Sequence, residues 1–138
     1  MESKCLRRNT SVPAMPSEPL SILELATARN LPRRTLPAGD KLFLKGDEAA
    51  AMYVVTRGSI EVLLLGRVLE EVGVGGIVGE MAMIDGNARC AAALTQSETE
   101  VIAIDQPAFL ELARSEPRFA LAVLAVLAQR LRAVTAAQ

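Results

Sequence analysis

Glu80 and Arg89 are the side chains of this sequence best suited by type and setting to do chemistry. They flank a compact segment, Gly75 to Ala93, that reads GGIVGEMAMIDGNARCAAA. Gly75, Gly76 and Gly79 let the chain turn where a side chain would clash, and let a ligand lie against bare backbone. The short apolar turn Met81-Ala82-Met83-Ile84 follows, and its first N–H groups, those of Met81 and Ala82, have no partner inside a helix and attract an anion. Arg89 can fork two N–H bonds onto a phosphate. A carboxylate at Glu80 only accepts hydrogen bonds, so it selects a hydroxyl and repels a phosphate. Alone, Glu80 and Arg89 would read as a salt bridge closing a loop. The glycines around them favour a site for one molecule that carries both a sugar hydroxyl and a phosphate.

The rest of the sequence excludes most alternatives. There is no histidine, which removes Ser–His–Asp and Cys–His catalysis and most zinc and non-haem iron sites. No metal site and no enzymatic nucleophile with a base beside it is expected. The Gly73-Val74-Gly75-Gly76-Ile77-Val78-Gly79 run imitates a dinucleotide fingerprint, but Val78 puts its third glycine out of register and no βαβ unit surrounds it. Cys5 and Cys90 offer neither a disulfide framework nor zinc spacing, consistent with a reducing cytoplasm. The longest apolar run, Phe119 to Ala128, is too short for a bilayer, which needs about 20 residues, so no membrane insertion is expected. A formal net charge of −1 supplies no field for nucleic acid. The early basic residues, Lys4, Arg7, Arg8, Arg29, Arg33 and Arg34, read as solvated.

These residues need a scaffold. Hydrophobic residues make up 51% of the chain, with three Phe, one Tyr and no Trp, so Leu, Val, Ile and Ala must build the core. Residues 1–17 are polar, carry Pro13 and Pro16, and read as a disordered tail; 18–138 read as a single domain. Ser17 is the expected cap of a helix over 18–30, stopped by Pro32. Strands are expected over 41–45, 52–57, 59–65, 67–72, 90–95 and 100–104, with turns at Gly39-Asp40, Gly46-Asp47, Gly58, Gly66 and Gly86-Asn87. Asp105 caps a helix ending near Arg114, and Ser115 caps the last. The fold expected is mainly β with flanking α: a β-roll or jelly roll with an N-terminal helix, a short helix after Gly79-Glu80, and two C-terminal helices. In the last helix Leu121, Leu124, Leu127, Leu131 and Val134 share one side, Val123 and Val126 another. Such a helix either lies flat on the barrel, burying nearly everything, or turns its second face to a partner helix.

The segment resembles the phosphate-binding cassette of the cyclic nucleotide-binding domain family, which includes catabolite activators, protein kinase A regulatory subunits and cyclic nucleotide-gated channels. Val78-Gly79-Glu80-Met81-Ala82-Met83 and Ala88-Arg89-Cys90-Ala91 match its two halves. Leu36 to Asp40, Lys45-Gly46-Asp47, Met52 to Ile60 and Val101 to Asp105 look like its strands and turns, and the likeness covers about residues 20 to 134. The resemblance implies a stand-alone, non-catalytic, cytoplasmic sensor. Its ligand would be cAMP or cGMP, held by Gly79, Glu80, Met81, Ala82, Arg89, Cys90 and Ala91. Arg130 falls where a lid residue reaches the purine in some channel-type relatives. Cys90 stands where the family has Ser, Thr or Ala; cGMP preference often rests on a Thr there, so cAMP is favoured. Ala88 replaces the family's proline. A protein partner of unknown identity, or a homodimer through the last helix, would receive the signal. Direct nucleic-acid reading is not expected, because the helix-turn-helix of catabolite activators would lie beyond Gln138. The same fold with a degenerate, non-binding pocket is the alternative. A cupin-type enzyme would need the missing histidines.

Overall fold

The structure is a computed structural model that describes residues 21–136, with side chains to residue 133. The expected tail over 1–17, Ser17 and Cys5 lie outside the described residues. The first helix, α1 (Ile22–Thr27), is capped by Ser21: its hydroxyl accepts from Glu24 N at 3.0 Å while Glu24 Oε1 accepts from Ser21 N at 2.9 Å. This reciprocal box satisfies two orphan donors, and it makes Ser21 the cap of this helix. Nor does the helix run to Pro32. It closes at Thr27, where Ala28 and Arg29 bond back to Glu24 and Ala26.

Eight strands follow: β1 (Arg33–Leu36), β2 (Lys41–Phe43), β3 (Ala51–Arg57), β4 (Ile60–Leu64), β5 (Arg67–Val72), β6 (Ile77–Val78), β7 (Ala92–Thr95) and β8 (Thr99–Asp105). They form two antiparallel four-stranded sheets, β1-β8-β3-β6 and β2-β7-β4-β5, which face each other as a jelly roll. Two strands escaped the sequence reading. β1 is exposed at three of four positions and exists because it pairs along β8; β6 is two residues long and pairs with Tyr53 and Val54.

The helices complete the domain: α2 (Met81–Asp85), α3 (Gln106–Ser115) and α4 (Pro117–Ala136). Asp105 caps α3 through Ala108 N at 2.9 Å, as its position before Pro107 predicts. Ser115 does not cap α4. It is the last residue of α3, and its hydroxyl donates to Glu111 O at 2.8 Å.

Strand alternation divides the core. On β3, Ala51, Tyr53 and Val55 face the roll interior with Leu36, Leu42, Ile60, Val72, Val78, Ala93 and Val101. Met52 and Val54 face the other way, onto Ile22, Leu25, Leu112, Phe119 and Val123. β3 is thus buried on both faces. The α4 face that enters the core is Phe119-Val123, with Val126 and Leu127 half-buried against it. Leu121 and Leu124 remain 50% and 57% exposed. This overturns the flat-lying reading of the helix: only one stripe faces the sheet.

Candidate functional site

The turn after β2 positions Arg89. Gly46 N donates to Arg89 O at 2.8 Å, and Arg89 N donates to Asp47 O at 2.9 Å. Asp47 holds that turn closed by accepting from Leu44 N at 2.9 Å. The Lys45-Gly46-Asp47 motif therefore grips the backbone of the arginine, and the side chain projects back into the roll.

There Arg89 is only 6% exposed. Nη1 donates to Gly79 O at 2.9 Å and Nη2 to Ala51 O. Phe43 lies beneath, its ring centroid 4.1 Å from Cζ, and Tyr53 is 5.9 Å away. Nε is buried without a hydrogen-bond partner. No carboxylate among the described residues comes within 4.0 Å of Arg89, so the salt bridge to Glu80 does not form. Burial lowers the Arg89 pKa below the ordinary arginine value, with Tyr53, Glu80 and Asp47 opposing that loss. The group still titrates far above neutrality. The result is a buried positive charge with no counter-ion among the described residues. Gly79 makes room for it. Its φ of +79° is left-handed, and a Cβ there would collide with Arg89 Nη1 and press on Phe43 Cε2 at 3.3 Å.

Glu80 stands two residues after β6, at the N-cap position of α2, and it is 4% exposed. Its Oε2 accepts from Arg130 Nη1 on α4 at 2.6 Å. Arg130 Nη2 also donates to Ile77 O at 2.8 Å and Glu70 Oε2 at 3.2 Å. Arg130 Nε lies 2.8 Å from Glu70 Oε1, off the line a hydrogen bond needs. Burial works against the Arg130 charge, but Glu80 and Glu70 outweigh it and raise its pKa above the ordinary value. The arginine read as a purine contact is thus committed to two carboxylates and a carbonyl.

Gly79, Glu80, Met81, Ala82, Arg89, Cys90, Ala91 and Arg130 all line one cavity of about 670 Å³. That size is ordinary for small-ligand sites. Ala82 is buried, whereas Met81 is 51% exposed; the backbone N–H groups of both are unsatisfied within the described residues. Cys90 is exposed, with a free thiol. Phe43, Val62, Leu69, Val78 and Val126 supply apolar wall, and Glu70 and Gln129 add polar groups. Phe43 and Glu70 escaped the sequence reading because each acts through an arginine distant in sequence. An aromatic residue two positions before Lys45 was the only available signal for Phe43. Among the described residues no group of three potential ligands could hold a metal, and no helix is long and apolar enough to cross a membrane.

The family model of the cyclic nucleotide-binding domain matches residues 33–116. The chain is 36% identical over 105 residues to a cyclic AMP receptor protein of Thermus thermophilus, covering 72% of this chain and 49% of that protein. It is 31% identical over 102 residues to a cyclic nucleotide-gated potassium channel of Mesorhizobium japonicum, covering 74% of this chain and 28% of the channel. The crystal structure of the Thermus thermophilus catabolite activator protein covers 83% of this chain and 55% of that one, with a TM-score of 0.73 and 34% identity. The chain spans about half the length of the Thermus protein. It belongs to the cyclic nucleotide-binding domain family.

Proposed function

We propose that this member of the family is a non-catalytic cytoplasmic sensor module that binds a cyclic nucleotide, cAMP in preference to cGMP, in the cavity between α2 and α4. One observation carries the reading: Arg89 is a buried cation without a counter-ion among the described residues, on the wall of a cavity that also holds Glu80. A cyclic phosphodiester supplies the missing negative charge, and the N–H groups of Met81 and Ala82 add donors to it. The ribose hydroxyl goes to Glu80. The cAMP preference draws support from Cys90, which lacks the threonine hydroxyl associated with cGMP, and from a relative named as a cyclic AMP receptor.

Arg130 makes the module a switch in this reading. It ties α4 to Glu80 and Glu70, so a ligand that engages Glu80 alters the contact holding the helix. Occupancy shifts the position of α4 only by the difference in ligand affinity between its two states. The exposed α4 stripe of Leu121 and Leu124 is the surface proposed to pass that shift to a partner, a second copy included.

The degenerate-pocket alternative has one observation in its favour: Glu80 already has a partner in Arg130. Calorimetric titration of the chain with cAMP and cGMP separates the two. Binding, with Arg89→Ala at least tenfold weaker, fits the loss of a charge-assisted phosphate contact, worth about 1.5–3 kcal/mol. No heat and no melting shift at millimolar nucleotide overturns the sensor reading.

A further inference from the structure

A buried guanidinium ordinarily keeps its charge by pairing with a carboxylate. Arg89 does not. Its nearest companions are two backbone carbonyls, which satisfy N–H groups without cancelling the charge, and the face of Phe43. A ring face carries partial negative charge and attracts a cation while remaining neutral. Tyr53 backs this surface: its ring centroid is 6.4 Å from that of Phe43, the two planes inclined by 27°.

We propose that Phe43, backed by Tyr53, is the positioning residue of the anion site, an aromatic platform standing where a counter-carboxylate would otherwise be. The consequence is specific. A carboxylate under Arg89 would fix the side chain equally well but would neutralise it and repel a phosphate. The platform fixes the guanidinium in the cavity wall and leaves its full charge for the ligand. The chain builds the platform and the arginine's tether from one element. Phe43 ends β2, and the turn that follows, through Gly46 and Asp47, hydrogen-bonds both backbone polar groups of Arg89. Gly79 closes the arrangement from above, since a side chain there would strike Arg89 and Phe43 together. The proposal rests on the cyclic nucleotide reading of this cavity.

The test compares the parent chain, Phe43→Leu and Phe43→Tyr by calorimetric titration with cAMP, alongside their melting temperatures. Leucine keeps an apolar side chain in this half-buried position but removes the ring face; tyrosine keeps the ring. Phe43→Leu is expected to weaken cAMP binding about tenfold to thirtyfold, and Phe43→Tyr to remain within about threefold of the parent. A second readout needs no ligand: the Arg89 Nε–H resonance lies upfield in the parent, because the guanidinium sits over a ring, and moves downfield in Phe43→Leu. Parent-like cAMP affinity in Phe43→Leu, equal losses in both variants, or an unshifted Arg89 resonance in the parent overturns the platform and leaves the sensor reading intact. A parent that binds neither cAMP nor cGMP overturns the sensor reading itself, and the role of Phe43 with it.

Discussion

Arg130 Nη1 on α4 lies 2.6 Å from Oε2 of Glu80, joining the C-terminal helix to the segment that opens α2. Glu80 is nearly inaccessible, and Arg130 is the one hydrogen-bond donor to its carboxylate among the described residues.

Removing one partner of such a pair leaves the other charge buried. Arg130→Ala is therefore expected to lower unfolding stability by about 1–3 kcal/mol. Glu80→Gln in the Arg130→Ala background should recover part of that loss, since a neutral amide tolerates burial better than an unpaired carboxylate. Urea unfolding of the two single variants and the double variant closes the cycle. Strict additivity would show that the two groups do not interact.

Gly79 and Gly86 both sit at positive φ, +79° and +73°, but only Gly79 has neighbours where a Cβ would go. Alanine at either position incurs the left-handed penalty, about 1–2 kcal/mol. Gly79→Ala should additionally displace Arg89 and weaken cAMP binding more than tenfold, at a contact worth about 1.5–3 kcal/mol. Gly86→Ala should leave affinity unchanged. Thermal melts and calorimetry on the pair separate backbone strain from damage to the site.

The Glu100 carboxylate accepts from the Thr56 hydroxyl at 2.7 Å, and this bond, helped by Arg33 and Arg57, holds its pKa below the ordinary glutamate value. A pKa depressed on folding adds stability above the unfolded value, near 4.3, and that stability is lost as pH falls through the folded value. The melting temperature should therefore drop on acidification below about 4.3. Thr56→Val should flatten part of that drop while changing little at neutral pH beyond the lost hydroxyl contact. Superimposable acid limbs for parent and variant would refute the assignment.

Leu121 and Leu124 lie one helical turn apart on the solvent face of α4. If this stripe pairs with a second copy, sedimentation equilibrium at high micromolar concentration will give a dimer mass. Leu124→Glu will then return a monomer with unchanged melting, because the residue contributes nothing to the core. A parent that stays monomeric throughout removes the homodimer.

What the sequence could show depended on how local each cause was. Asp105 capping α3 needed only Pro107 and an apolar run after it. Ser21, not named as a cap in the sequence reading, caps α1 because Glu24 is spaced to return the bond. Ser115 has the residue type and the following proline of a cap, yet it remains in α3, where Glu111 O accepts from its hydroxyl. β1 carries too few apolar residues to be read as a strand; its partner on β8 makes it one. On α4, the spacing of apolar residues marked a leucine side and a valine side without deciding which enters the core; Phe119 and Val123 do, because they fill the space left by the sheet.

By itself the sequence determined the roll, the flanking helices and the segment from Gly75 to Ala93, because turns, caps and strand alternation act over a few residues. It also named eight of the residues that line the cavity, since a glycine-rich turn and a short helix bring most of them together locally. Tertiary structure alone decided their pairing. Glu80 faces Arg130 rather than Arg89, and Arg89 rests on Phe43 rather than on an acid. Charge and spacing along a chain do not say which of several reachable partners excludes water best; packing does, by placing one guanidinium against carboxylates and the other against a ring.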